Sequence, residues 1–328
     1  MTSSRRNADP GVANHGDRSS GTELVRAPVR PRTWSRRLLG PDAAIGYMLI
    51  VPLLAIILGL LAYPVVSALL LSFQDKKLGT PGTFVGLANY SELLTRDGRF
   101  WTVVRNSFVF TFFSIVGKLI LGMVLALVLN ERLKARSFFR SWLVLPWIAP
   151  SLVTTLTWRW MLDGSTGIIN FVLMSLHLTK NPIAWLGNGS TAMASVVAVD
   201  IWRGFPFFAV TLLAGMQAIP GELYEAAAVD GASNWHQFRI ITVPGLRTVI
   251  LIVTLLSTIW TFNEFQIVYA LTGGGPNFAT QIFATYTFNL GFQASRLGYA
   301  VAVSVALVPI LVAIILLLAP LMLRSESE

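Results

Sequence analysis

Five polar or charged side chains stand inside long apolar stretches of the sequence: Lys118, Asp200, Arg203, Asn263 and Glu264. Ionisable groups at membrane depth are costly, and they mark solute or ion pathways or internal pairs. Asp200 and Arg203 are three residues apart and can pair on one helix face, with Trp202 between them. Such a pair either stabilises a helix bundle or contacts a solute. Asn263 and Glu264 follow Trp260 and Phe262, so an aromatic face, a carboxylate and an amide fall within one turn. That combination suits a sugar, which stacks on an aromatic ring while its hydroxyls bond the polar groups. The competing reading is polar contact between helices. Lys118 can pair with one of the carboxylates.

Catalytic chemistry finds little footing. His15, His177 and His236 are scattered over the chain, too far apart for a histidine metal site. There is no cysteine, which removes disulfides, thiolate metal sites and thiol nucleophiles. No G-x-x-x-x-G-K-[ST] loop is present to cradle ATP phosphates. The expectation is a non-enzymatic protein with no catalytic, cofactor or metal residues. A net charge of +9 raises nucleic acid as a partner. The basic residues, however, cluster at the N-terminus and between apolar runs, with no nucleic-acid motif.

The elements that must position these groups are membrane spans. Of 328 residues, 54% are hydrophobic and 12% charged, against about 25% charged in a soluble domain. Hydropathy predicts six spans, at 44–72, 106–130, 140–161, 191–219, 246–272 and 298–323. Pro52 and Pro64 should kink the first, and Pro146, Pro150 and Arg159 interrupt the third. The division is a disordered basic arm over 1–43 that touches anionic lipid, a transmembrane domain over 44–323, and a tail over 324–328. Trp101, Trp147 and Trp185 read as interfacial anchors. Arginines of the arm, Arg132, Lys134, Arg136, Arg140, Arg239, Arg247 and Arg324 fall on one side, which carries nearly twice the basic residues of the other. The richer side should be cytoplasmic, with both termini inside.

The longest connection on that side is PGELYEAAAVDGASNWHQFRIITVP, Pro220 to Pro244. Its first half has good helix formers, and Asp230-Gly231 breaks the helix through a left-handed turn. Ser233 can cap a second short helix, which Pro244 should stop. Ala226, Ala227 and Ala228 leave a shallow face for another protein, and Glu222, Glu225 and Asp230 offer acceptors to it. Glu225 is expected to fix the loop through a charge-assisted hydrogen bond.

Glu225-Ala226-Ala227, then Asp230-Gly231-Ala232, Ile241 and Pro244, resemble the EAA motif of membrane subunits of binding-protein-dependent ABC importers. Trp202 to Pro220 and Phe262 to Pro276 are similar to the carbohydrate branch, the maltose and glycerol-phosphate permeases. The resemblance spans residues 44–323 and implies an all-α, polytopic type I ABC importer permease fold with about six transmembrane helices. It implies a second permease subunit, two ATPase subunits that bind the ATP, and an extracytoplasmic solute-binding protein. It places the chain in a bacterial cytoplasmic membrane, importing a di- or oligosaccharide, or else glycerol phosphate or a polyol. It assigns ATPase coupling to Glu225, Ala226, Ala227, Asp230, Gly231 and Pro244. The pathway candidates are Trp260, Asn263, Glu264, Trp202 and Arg203. Gly273-Gly274-Gly275-Pro276 is expected to be a flexible turn touching the binding protein. An ion-coupled secondary transporter, using Lys118, Asp200 or Glu264 as relays, is the alternative.

Overall fold

The computed structural model describes residues 41–131 and 134–325. Residues 1–40 of the basic arm and 326–328 of the tail lie outside the described residues. The first apolar stretch begins with α1 (Pro41–Ile56) and a π-helical turn over Ile57–Ala62, which falls between Pro52 and Pro64. A proline removes one backbone donor, and a π-turn absorbs the resulting gap in the ladder. Helix α2 (Tyr63–Ser72) continues the same helix, with Pro64 directly after the π-turn.

A small hairpin pairs β1 (Gln74–Asp75) with β2 (Thr83–Phe84), and α3 (Ala88–Thr95) follows. The 33-residue α4 (Gly98–Asn130) is capped by Asp97, whose Oδ1 accepts from the Arg99 and Phe100 amides at 3.0 and 3.3 Å. Next come α5 (Arg136–Ile148), α6 (Ser151–Met161), α7 (Ile168–Ser175) and the 30-residue α8 (Gly189–Ala218). The loop helices α9 (Gly221–Val229), α10 (Asn234–Gln237) and α11 (Val243–Gly245) lead into α12 (Arg247–Phe262). Helices α13 (Gln266–Thr272), α14 (Phe283–Phe288) and α15 (Leu297–Ser325) complete the chain.

The all-helical, membrane-spanning expectation holds, but the six spans are not six continuous helices. Among the described residues four helices are long and apolar enough to cross a membrane: Tyr47–Ser72, α4, α8 and Leu297–Leu316. The pair Asn234–Gly245 and Arg247–Phe262, bent by 65°, brings the number to five if it counts as one span. The third expected span is divided between α5 and α6. Ala149 is extended there (ψ 141°), as the residue before a proline prefers to be, and Pro150 caps the next helix. The fifth is interrupted too, because the helix stops at Phe262 and restarts at Gln266.

Helix α4 lies along α8, the most extensive helix pair described. Small residues make this approach possible, as at other membrane helix contacts. A Cβ on Gly122 would stand 2.4 Å from Phe208 Cβ and 3.0 Å from the Ala209 backbone nitrogen. Below that crossing, Ala126 and Leu129 pack with Phe208, Leu212, Met216, Leu246 and Val253. At the other end Asp97 Oδ2 accepts from Tyr286 and Tyr299 hydroxyls at 2.5 and 2.7 Å, joining α4 to α14 and α15. Arg296 adds a two-pronged pair to Glu92 at 2.8 and 2.7 Å. The guanidinium holds the Glu92 carboxyl below the usual carboxylate range.

Replacing Gly122 by leucine should overpack the α4–α8 crossing and cost about 1–3 kcal/mol. Thermal unfolding in detergent should show a lowered midpoint for G122L. Gly59→Leu, where nothing lies within 4 Å of the added carbon, should change little. Equal midpoints for the two variants would contradict the close approach.

Candidate functional site

Lys118 and Asp200, the buried charged side chains among the described residues, meet where α4, α8 and α12 come together. Lys118 Nζ lies 2.6 Å from Asp200 Oδ2, with the two side chains 5% and 6% exposed. The same ammonium donates to Thr261 Oγ1 at 3.0 Å, so one lysine joins three helices. Its path runs over Gly204, where a Cβ would stand 2.5 Å from Lys118 Cε. Arg203 faces Glu264 at 3.8 Å, with 29% and 15% of these side chains exposed. Glu264 Oε1 also accepts from the Ile267 amide at 3.0 Å, capping α13 across the helix break. The Asp200–Arg203 pair expected along one helix is therefore not made; both residues instead pair with other helices. Interhelical partners win because α4 places an ammonium directly opposite Asp200.

These four charges line a cleft together with Trp147, Gly204, Phe207, Ser257, Trp260 and Thr261. Trp147 stacks on Phe207 at 6.1 Å between ring centroids, and Phe207 meets Trp260 at 5.1 Å. Of the pathway candidates, Arg203, Trp260 and Glu264 reach the cleft. Trp202 turns away and packs edge-on against Trp158 at 5.4 Å. Asn263 donates to the Ile259 carbonyl at 2.8 Å, closing its own helix end. Trp147, read as an interfacial anchor, is a cleft wall stacked on Phe207. Phe207 and Thr261 carried no signal in the sequence, since an aromatic or hydroxyl in an apolar run has no marked face. The cleft itself holds ≈ 70 Å³, well short of the about 300–1,000 Å³ typical of a small-molecule site.

The second candidate site is the connection between α8 and α12. Helix α9 ends in a Schellman turn, with Gly231 at φ +80°. The Ala232 amide reaches back to the Ala227 carbonyl at 2.9 Å, and the Gly231 amide to that of Ala228 at 3.1 Å. Ser233 caps α10 by accepting from the His236 amide at 3.3 Å. From there the chain stays helical through a π-turn at Phe238–Thr242 into α11. Pro244 stands in the last turn of this continuous helix, which ends one residue later, close to the stop expected there. The bend comes after Gly245. Glu225 is exposed and bonds no described residue. The tie across the two halves is Tyr224, whose hydroxyl lies 2.9 Å from Thr242 Oγ1. Glu225, Ala226 and Asp230 are exposed. So are Leu223, Val229 and Trp235, at 50, 89 and 71%.

The Gly273–Pro276 segment, expected to be a flexible turn, is tied by side-chain hydrogen bonds. Thr280 Oγ1 donates to the Gly275 carbonyl and contacts Thr272 Oγ1, both at 2.7 Å. Gly274, at φ +94°, leaves room for Gln281.

Long apolar helices, a buried polar seam and a helix–turn–helix standing off one end define a multi-pass membrane transport protein. Residues 118–323 match the model of the binding-protein-dependent transport system inner membrane component family. The chain is 38% identical over 265 residues to the trehalose/maltose transport system permease protein MalF of Thermococcus litoralis, covering 80% of this chain and 88% of that one. It is 32% identical over 302 residues to the diacetylchitobiose uptake system permease protein DasB of Streptomyces coelicolor, covering 90% and 92%. Among solved structures, a bacterial ABC transporter that imports alginate aligns with a TM-score of 0.74 at 21% identity, over 86% of this chain and 96% of that one, and so shares the fold. The chain belongs to the family of binding-protein-dependent transport system inner membrane components.

The Lys118–Asp200 geometry sets a test. Lys118→Met leaves a buried carboxylate without its cation and should cost about 3–5 kcal/mol. Lys118→Met combined with Asp200→Leu removes both charges and should recover much of that loss. A double-mutant cycle on thermal unfolding measures the coupling, and additive losses would contradict a tight pair.

Proposed function

We propose that this chain is one of two permease subunits of an ATP-driven importer for a carbohydrate, with a di- or oligosaccharide as solute. The observation that carries the reading is the cleft: three aromatic walls around charges that are already paired with one another. A neutral polyhydroxyl solute can stack on Trp260, Phe207 or Trp147 and exchange hydrogen bonds with Arg203 and Glu264. An anionic solute such as glycerol phosphate would need a free cation cluster. The relatives' names, trehalose/maltose and diacetylchitobiose systems, point the same way. Since the cleft is small, a second permease subunit completes the pathway, and a solute-binding protein delivers to it from outside.

Two ATPase subunits bind and hydrolyse the ATP, one of them docking on Gly221–Pro244 through the shallow alanine face and the exposed Leu223, Val229 and Trp235. This puts the loop and both termini in the cytoplasm, with the chain in the cytoplasmic membrane. The loop joins the two helices that carry the cleft. Arg203 lies fifteen residues from the end of α8, about 22 Å away at the helical rise. Trp260 and Thr261 close α12 at a similar remove. Motion imposed on the loop therefore reaches Asp200, Arg203, Trp260 and Thr261 through rigid helices.

Two sets of variants test the two halves. Gly231→Val forces a β-branched residue to φ +80°, costing about 1–3 kcal/mol in the turn, and Ala227→Leu overpacks the docking face. Both should insert normally yet lose ATPase co-purification or uncouple hydrolysis from uptake. Wild-type attachment, turnover and uptake in both would remove the coupling role. Glu264→Gln should impair uptake while the complex still assembles; unchanged uptake kinetics would remove Glu264 from the pathway.

A further inference from the structure

At the loop end of α8, Arg136 and Arg140, one turn apart on α5, converge on Gln217. With the Gln217 carboxamide oxygen turned toward them, the only orientation in which it pairs, it accepts from Arg136 Nη2 and Arg140 Nη2 at 2.6 Å each. Their terminal nitrogens thus stand no further apart than twice that distance. Among the described residues no carboxylate is within ion-pairing range of either guanidinium. The Nε atoms of both arginines are buried without a hydrogen-bond partner. Two cations sharing one neutral acceptor repel each other and leave donors unused, a geometry that calls for an anion. Guanidinium forks are suited to phosphate oxygens, which can bridge both groups at once.

The surroundings say which phosphate. Phe138, Phe139 and Trp142 lie on the same two turns of α5, 58, 51 and 60% exposed. Exposed aromatics beside basic groups at the end of a span belong at the headgroup level of a bilayer. The side concerned is the one that the basic-residue asymmetry assigns to the cytoplasm, where anionic lipid attracts Lys and Arg. A free phosphate would satisfy the arginines and leave the rings bare, whereas a phospholipid covers both. We propose that Arg136, Arg140 and Gln217 form a binding site for the phosphate of an anionic phospholipid, with Phe138, Phe139 and Trp142 against its glycerol and acyl region. Gln217 stands three residues before Pro220, so a bound headgroup braces the root of the Gly221–Pro244 loop against α5.

The test uses the full chain purified in detergent, titrated with phosphatidylglycerol or phosphatidylcholine and followed by native mass spectrometry. Wild type should bind phosphatidylglycerol in preference to phosphatidylcholine. Arg136→Gln with Arg140→Gln should weaken the phosphatidylglycerol adduct by about 30-fold, two basic groups at about 1 kcal/mol each, and abolish the preference. Arg140→Lys, which keeps the charge but not the fork, should weaken it severalfold and serves where the double variant is not recovered folded. Unchanged affinity in these variants, or no preference in the wild type, overturns the site. Displacement of phosphatidylglycerol by equimolar glycerol phosphate overturns the lipid assignment, since the aromatic contacts would then contribute nothing.

Discussion

The buried pair of Lys118 and Asp200 is the constraint around which the bundle is arranged. Two charges removed from water and from lipid must meet closely to offset the cost of burying them. The structure meets this by bringing α4 against α8 at glycines. Gly204 leaves the channel through which the lysine side chain passes, and Gly122 allows the backbones to near each other further along. Thr261 Oγ1 then accepts a hydrogen bond from the same ammonium, which ties in the end of α12. Three helices are held in register by one side chain, and the aromatic cleft is what remains beside that junction.

The second ion pair has a different character. Arg203 and Glu264 stand 3.8 Å apart and remain partly open, so little is lost when they part and take other partners. Glu264 also caps α13 through the Ile267 amide, which makes the break after Phe262 part of the site. The pair of Lys118 with Asp200 is closed at 2.6 Å and the pair of Arg203 with Glu264 is loose, so the first holds the helices together far more firmly than the second.

Much of this was legible in the sequence, and for identifiable reasons. Long apolar runs reveal spans because lipid leaves a helix no alternative. Asp230-Gly231 revealed the turn in the loop because few residues take φ +80°. Intramembrane charges announced the site through their rarity. What could not be read was partner choice: Asp200 turned to a lysine 82 positions earlier and not to the arginine one turn away, and only tertiary packing decides between them. Asn263 looked like a pathway residue and is a helix-end cap, because an amide near a helix C-terminus finds a carbonyl before it finds a ligand. Proline was a fair guide at 244, where the helix ends one residue later, and at 150, where the preceding residue is driven out of the helix.

Reconstitution offers the most direct trial of the central claim, that this chain moves a sugar by motions imposed from a separate ATPase. The chain would be co-expressed with the ATPase, second permease and solute-binding protein found to co-purify with it, and placed in vesicles. Uptake of labelled maltose, trehalose and diacetylchitobiose would be followed with and without ATP. The account predicts that one such sugar accumulates only when ATP and the binding protein are both supplied, with no response to a proton or sodium gradient. Accumulation driven by an ion gradient in the absence of ATP would contradict it.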